Sequence, residues 1–151
     1  MTTDVVSTKE RVSQLVTDVW NEGQIEELDE LLATDFVGHG FGPENLDRDG
    51  YEEFVIEHRE IFPDLEFVLE DVIGEDDRVA ARWTRSGTQE KPVMGVEPTG
   101  NRISVSGMTI YRILEGTIVE AWNIRDTVAM LKQLGLFPDQ FQGESSAQSE
   151  P

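Results

Sequence analysis

The stretch Gly116-Thr117-Ile118-Val119-Glu120-Ala121-Trp122-Asn123-Ile124-Arg125-Asp126-Thr127-Val128-Ala129-Met130-Leu131-Lys132-Gln133-Leu134-Gly135 decides the fold. It reads as a strand over 117–125 running straight into a helix over 127–134, with Asp126 as the helix cap and Gly135 as its stop. The junction Trp122 to Asp126 places an aromatic ring, an amide, a guanidinium and a carboxylate within five residues, so any functional site is expected to be lined by it. Along the strand, Ile118, Glu120, Trp122 and Ile124 share one side, and Thr117, Val119, Ala121, Asn123 and Arg125 share the other. Both sides are largely apolar up to Asn123. One face is therefore expected to wrap helices and the other to meet a second copy of the chain, giving a homodimer.

Upstream of this stretch, further strands are expected at 65–74, 78–89 and 102–114, joined by the short turns Glu75-Asp76-Asp77 and Glu115-Gly116 and one longer loop. Short turns imply antiparallel pairing. Before the strands, Ser7-Thr8-Lys9-Glu10 has the form of a capping box, and Val12, Leu15, Val16 and Val19 recur at helical spacing, predicting a helix over 8–21. A second short helix follows with Ile25, Leu28, Leu31 and Leu32, then a brief extended segment from Phe36 to His39 and a glycine-rich loop. Asp49 is the expected cap of a third helix over 50–62, whose stripe of Tyr51, Phe54, Val55, His58 and Phe62 ends at Pro63. Helices first and a meandering sheet afterwards give an α+β fold in one domain over 1–138. The acidic remainder, 139–151, is expected to be disordered.

The chain has 151 residues, a formal net charge of -19 and no cysteine. Such a charge leaves no basic footprint for nucleic acid, and the absence of cysteine removes disulfides, thiolate metal sites and a cysteine nucleophile. The two histidines do not lie in a ligand-spaced motif, so no metal is expected. With no long apolar run and no basic-then-apolar leader, the protein is expected to be cytoplasmic and to have no membrane partner. Lysine occurs only at Lys9, Lys91 and Lys132, and an acid-rich, lysine-poor surface suits a halophilic cytosol, where salt screens self-repulsion. Stability is then expected to rise between low and multimolar salt, and a flat response would contradict a halophilic origin.

An ordered set of blocks carries a resemblance. Gly87-Thr88-Gln89, Met94 to Arg102, Tyr111-Arg112-Ile113, Gly116 to Trp122 and Lys132-Gln133-Leu134-Gly135 closely resemble the SnoaL-like polyketide (ester) cyclases of the NTF2-like superfamily. Phe36-Val37-Gly38-His39, Phe62-Pro63-Asp64-Leu65 and Val79 to Trp83 match in order upstream, so the resemblance spans roughly 8–137. It implies a cone-shaped α+β barrel with N-terminal helices inside a curved, mostly antiparallel sheet. It also implies a buried pocket for a small hydrophobic molecule, often a dimer, and a cofactor-free aldol ring closure driven by a pocket carboxylate. The family pattern has Glu-His-Trp-Asp where this chain has Glu120-Ala121-Trp122-Asn123, so the acid-base aspartate is matched by Asn123 and the histidine by Ala121. The Gly-Thr-His block ends in Gln89. An amide orients or hydrogen-bonds but cannot serve as a base near neutral pH.

These residues define the expected site. His39, beside the glycine-rich loop, and Asp126 are the proton carriers available, although Asp126 reads first as a helix cap and His39 equally well as a loop histidine. Arg82 is a candidate to hold a carboxylate or enolate, against the simpler reading of a salt bridge. Gln89 and Asn123 supply hydrogen bonds, and Met108 and Trp122 a hydrophobic wall, though both are as readily core. His58 lies on an apolar stripe and reads as a core or rim histidine with one satisfied nitrogen. If catalytic, the protein is expected to be a cofactor-independent cyclase or isomerase; the opposing reading is a non-catalytic small-molecule binder or dimeric scaffold.

Overall fold

A computed structural model describes residues 2–136, with side chains from Thr8 onward. The disordered-tail expectation for 139–151 lies outside the described residues. The helices come first: α1 (Thr2–Gln14), continued by a π-helical segment at Leu15–Asn21, a 3-10 turn at Ile25–Glu27, and α2 (Leu28–Leu31). After β1 (Leu32–His39) and α3 (Arg48–Ile61) the chain forms β2 (Glu66–Glu75), β3 (Arg78–Thr88), β4 (Arg102–Leu114) and β5 (Thr117–Arg125), and ends in α4 (Thr127–Leu134).

The five strands make one sheet in the order β1-β5-β4-β3-β2, antiparallel throughout except for the β1–β5 pair, and unclosed. This is the α+β, NTF2-like arrangement expected, with the helices on the inner face. That face carries Val79, Ala81 and Trp83 of β3, Val105 and Tyr111 of β4, and Ala121 of β5, which join Val12, Leu15, Leu28, Tyr51 and Val55 of the helical layer in one core. The outer face presents Ile73, Met108, Ile110 and Ile124, the last 77% exposed. This is the side the sequence assigns to a second copy. Among the described residues, no helix is long and apolar enough to cross a membrane.

Several local expectations need correction. The first helix begins at Thr2, not at a capping box on Ser7, because Thr2 to Ser7 already continue it. The third helix is capped by Asp47 rather than Asp49: the Asp47 carboxylate accepts from Gly50 N at 2.7 Å, and Asp49 falls in the first turn. Ile118 is fully buried on the inner face although strict alternation from Trp122 puts it outside. The register explains this. Arg112 pairs with Glu120 while the next residue, Ile113, pairs with Ile118, so Val119 is an extra residue that resets the alternation. Leu32 starts β1 and does not end the second helix.

Gly107 has a packing reason. A Cβ there would run into the Trp83 indole and the Ile124 carbonyl, so glycine lets the Trp83 ring lie flat across β4 beneath the helices.

Candidate functional site

The stripe on α3 and the inner face of β3, β4 and β5 enclose, with α4, a cavity of about 170 Å³. Phe54, Phe62, Leu65, Val105, Met130 and Leu134 form its apolar wall. A cavity of about 150 Å³ already holds benzene, so one ring with substituents fits. A smaller space of about 20 Å³ adjoins it, bordered by Tyr51, Thr109, Tyr111 and Asn123, and the two share Phe41, Phe54, Arg85 and Arg125.

Three basic side chains line this apolar space. His58 is fixed by its own helix: Nδ1 lies 2.8 Å from the Phe54 carbonyl oxygen four residues back. A carbonyl only accepts, so Nδ1 carries the proton and Nε2 keeps its lone pair. Nε2 has no hydrogen-bond partner among the described residues. Arg85, 6% exposed, and Arg125, half-buried, come from the strands on either side of β4, where Arg85 pairs with Val105 and Arg125 with Gly107. Their positions are thus diagonal neighbours on the same sheet face. Neither has an ion pair or hydrogen bond among the described residues. Glu57, exposed at the cavity's edge, is the remaining charged residue lining it, and no ion pair links it to either arginine.

The electrostatics follow from this crowding of positive charge. Burial holds the Arg85 pKa down to about 10, with the Arg125 charge adding to the effect. Burial also lowers Arg125. His58 is pushed from 6.5 to about 3, first by burial and then by Arg85, against the Phe54 hydrogen bond, with Arg125 a further contribution. It is neutral in the folded protein at physiological pH. Between about 6.5 and 3 the unfolded chain takes up a proton that the folded chain refuses, so this stabilisation is complete above 6.5 and falls as pH drops toward 3. From pH 7 to 5 the wild type is expected to lose about 2 kcal/mol more than a His58→Phe variant. Urea midpoints at the two pH values check this, and parallel losses would contradict it.

Beyond the arginines, the floor is a directional chain of buried hydrogen bonds. Trp83 Nε1 donates to Thr109 Oγ1 at 2.9 Å, and Thr109 donates to Asn123 Oδ1 at 2.7 Å. The Asn123 amide points its Nδ2 toward the Gly40 carbonyl at 3.5 Å. Asn123, 9% exposed, therefore lines the smaller space with its oxygen already engaged. It ties β5 to β4 and to the residue that follows β1, and an amide in this chain has no proton to exchange.

At the edge of the cavity Val93 and Met94 belong to a tight hairpin. Val93 and Val96 exchange backbone hydrogen bonds, and Met94 and Gly95 between them both have positive φ, the pattern of a two-residue type I′ turn. Gln89, 1% exposed, braces this hairpin from inside, donating Nε2 to the Lys91 and Val96 carbonyls at 3.1 and 2.9 Å. Gln89→Leu is expected to cost about 1–2 kcal/mol through the lost bonds and to raise protease cleavage within 90–100. An unchanged cleavage pattern would contradict the bracing role.

The remaining residues singled out by the sequence are placed elsewhere. His39 lies on the outer face, where its ring stacks on Trp122 at 5.5 Å and Nε2 meets Glu120 at 2.7 Å. Arg112 bonds the same carboxylate, Arg78 lies over the Trp122 ring, and the His39 and Arg112 hydrogen bonds hold Glu120 below the usual carboxylate range. Arg82 pairs with Asp71 at 2.7 Å on the exposed outer surface, beside Met108. Asp126 is exposed and accepts from Ala129 N at 3.0 Å as the cap of α4. Of the residues of the expected site, Asn123 alone borders these spaces; His39, Arg82, Gln89, Met108, Trp122 and Asp126 do not.

His58, Arg85 and Arg125 were not in the expected site, yet two signals mark them in the sequence. Arg85 alternates with Val79, Ala81 and Trp83, so it is an arginine on an apolar strand face, and Arg125 continues the Ala121–Asn123 face. The sequence expects one satisfied nitrogen on His58, and Nδ1 is that nitrogen, while Nε2 has no hydrogen-bond partner among the described residues.

The family model for SnoaL-like polyketide cyclase matches residues 10–134. Among solved structures, the chain is 33% identical to IdmH of Streptomyces antibioticus, a candidate polyketide cyclase, with a TM-score of 0.76 over 85% of this chain and 98% of that one. A candidate polyketide cyclase from Acidithiobacillus ferrooxidans is 30% identical, with a TM-score of 0.77 over 87% and 96%. AclR of Streptomyces galilaeus, a candidate hydroxylase, is 26% identical with a TM-score of 0.80 over 89% and 99%. No curated protein matches the chain.

Proposed function

Because the chain belongs to the SnoaL-like polyketide cyclase family, we propose that its cavity holds a small ring-bearing carbonyl compound and catalyses cofactor-independent proton transfer beside the carbonyl, as a cyclase or isomerase. One observation carries the reading: a neutral imidazole and two guanidiniums border one apolar cavity, with Nε2 and both guanidiniums unpartnered among the described residues. In this scheme His58 Nε2 takes the proton from the carbon next to the carbonyl, and the bonding pair moves onto oxygen as an enolate. The enolate carbon then forms the new C–C bond to a second carbonyl of the same molecule, and the resulting alkoxide takes the proton back from Nε2. Atoms and charge balance over the cycle.

The arginines serve this chemistry twice. They stabilise the enolate oxygen directly, as charged donors held on an apolar wall. After burial they are the further cause of the His58 depression, so negative charge forming between them lifts their part of it as the proton moves. The base gains strength when the enolate appears.

A second reading has its own support. Asn123 stands where the resemblance places the acid-base aspartate, and its oxygen is occupied by Thr109. A binder without chemistry would need only the cavity. Deuterium exchange at the central carbon of 1-phenylbutane-1,3-dione, followed by NMR in deuterated buffer, separates the two. Protein-dependent acceleration above buffer supports catalysis; saturable binding with exchange at the buffer rate supports the binder.

A further inference from the structure

We propose that Arg85 and Arg125 together seat a carboxylate, so that the ligand class is a ring-bearing carbonyl compound that also carries a carboxylate, the guanidinium donors left over by the carboxylate being those that meet the enolate oxygen. The proposal rests on the cavity being the ligand site argued above. It starts from the disposition of cations in a strongly acidic protein. Of the nine arginines in the chain, seven have a partner among the described residues. Arg59 donates to the Trp20 and Asn21 carbonyls, Arg82 meets Asp71, Arg102 meets Asp64 and Arg112 meets Glu120. Among the described residues Arg85 and Arg125 have neither a carboxylate nor a carbonyl partner, in a chain with 31 acidic residues.

Two like charges brought together on an apolar wall destabilise the free protein, since each loses water and repels the other. Such an arrangement is relieved by an anion between them. Two planar guanidiniums offer up to ten N–H donors, and a carboxylate satisfies two forks at once, as a point charge or a neutral carbonyl cannot. Their positions suit this, on the strands flanking β4 with side chains on one face. The other titratable groups around the anion would be His58, neutral and with no partner for Nε2 among the described residues, and Glu57 at the edge. Phe62, Leu65, Val105 and Met130 are left for the ring.

Benzoate and benzamide have nearly the same shape and differ in charge, so they isolate the anion. Their affinities for the whole chain, from amide chemical-shift titrations at constant ionic strength, are expected to differ at least 10-fold in favour of benzoate. Arg85→Met and Arg125→Met are each expected to abolish that difference, and each unliganded variant is expected to melt a few degrees above wild type as an unpaired charge is removed. Two variants are used so that a folding defect in one leaves the other decisive. Equal affinity for the two ligands, or discrimination that survives both substitutions, would overturn the carboxylate seat. If equal affinity is accompanied by shifts at the cavity residues, the cavity remains the ligand site and only the anion preference falls. If neither ligand moves those residues, both readings fall.

Discussion

A His58→Gln variant is expected to lose about 10²–10⁴-fold in protein-catalysed α-proton exchange, the usual contribution of a positioned general base, while binding the dione within a few-fold of wild type. Glutamine keeps a hydrogen-bonding group of similar reach, but its amide cannot carry the proton. The expected pattern is a fall in rate at saturation with little change in the half-saturating concentration, which marks a group acting after binding. His39→Gln is the control. His39 is held on the outer face between Glu120 and Trp122, away from the cavity, so its replacement is expected to leave exchange within about twofold. Loss of exchange in His39→Gln with retention in His58→Gln would move the chemistry to the outer face.

Tyr51→Ala is expected to cost about 3–5 kcal/mol of folding stability, the range for emptying a large aromatic site in a core. The side chain is fully buried on α3, and its ring meets Phe36 and Phe41 edge-on, each at 5.5 Å, and Trp20 at 6.2 Å. Its hydroxyl accepts from Trp20 Nε1 at 2.9 Å, and burial raises its pKa well above the ordinary value, so the phenol stays protonated. Tyr51 is therefore the point where β1, α3 and the π-helical segment meet behind the cavity. Tyr51→Phe separates the hydrogen bond from the ring, with an expected loss of about 1 kcal/mol. Urea unfolding of both variants checks the pair; a Tyr51→Ala loss below that of Tyr51→Phe would contradict the packing described.

What could be read in the sequence was mostly local. The strand over 117–125, Asp126 as cap and Gly135 in the left-handed conformation at the end of α4 all follow from neighbours in the chain, and each is found. The ordered blocks from Phe36 to Gly135 carry the family, whose match covers 10–134. The π-helical turn and the bulge at Val119 are set by packing between elements. No residue type announces them, and the bulge alone moves Ile118 across the sheet.

The candidate site shows the same division. Trp122 and Asn123 are adjacent in sequence, yet the pleat sends Trp122 to His39 on the outer face and Asn123 to Thr109 inside. The arginine chosen from the sequence, Arg82, lies three residues before Arg85 and on the opposite face, where Asp71 pairs with it. Face assignment was thus within reach for Arg85, since Trp83 and Ala81 share its parity. Knowing that no acid among the described residues pairs with it required the fold.

The chain contains two histidines, one on each side of the sheet, and they report directly on where a ligand binds. A long-range proton–nitrogen NMR spectrum of the two imidazoles, recorded with and without 1-phenylbutane-1,3-dione, tests the proposed site. A shift of His58 Nε2 with His39 unmoved is the predicted result. A shift of His39 with His58 unmoved would contradict it.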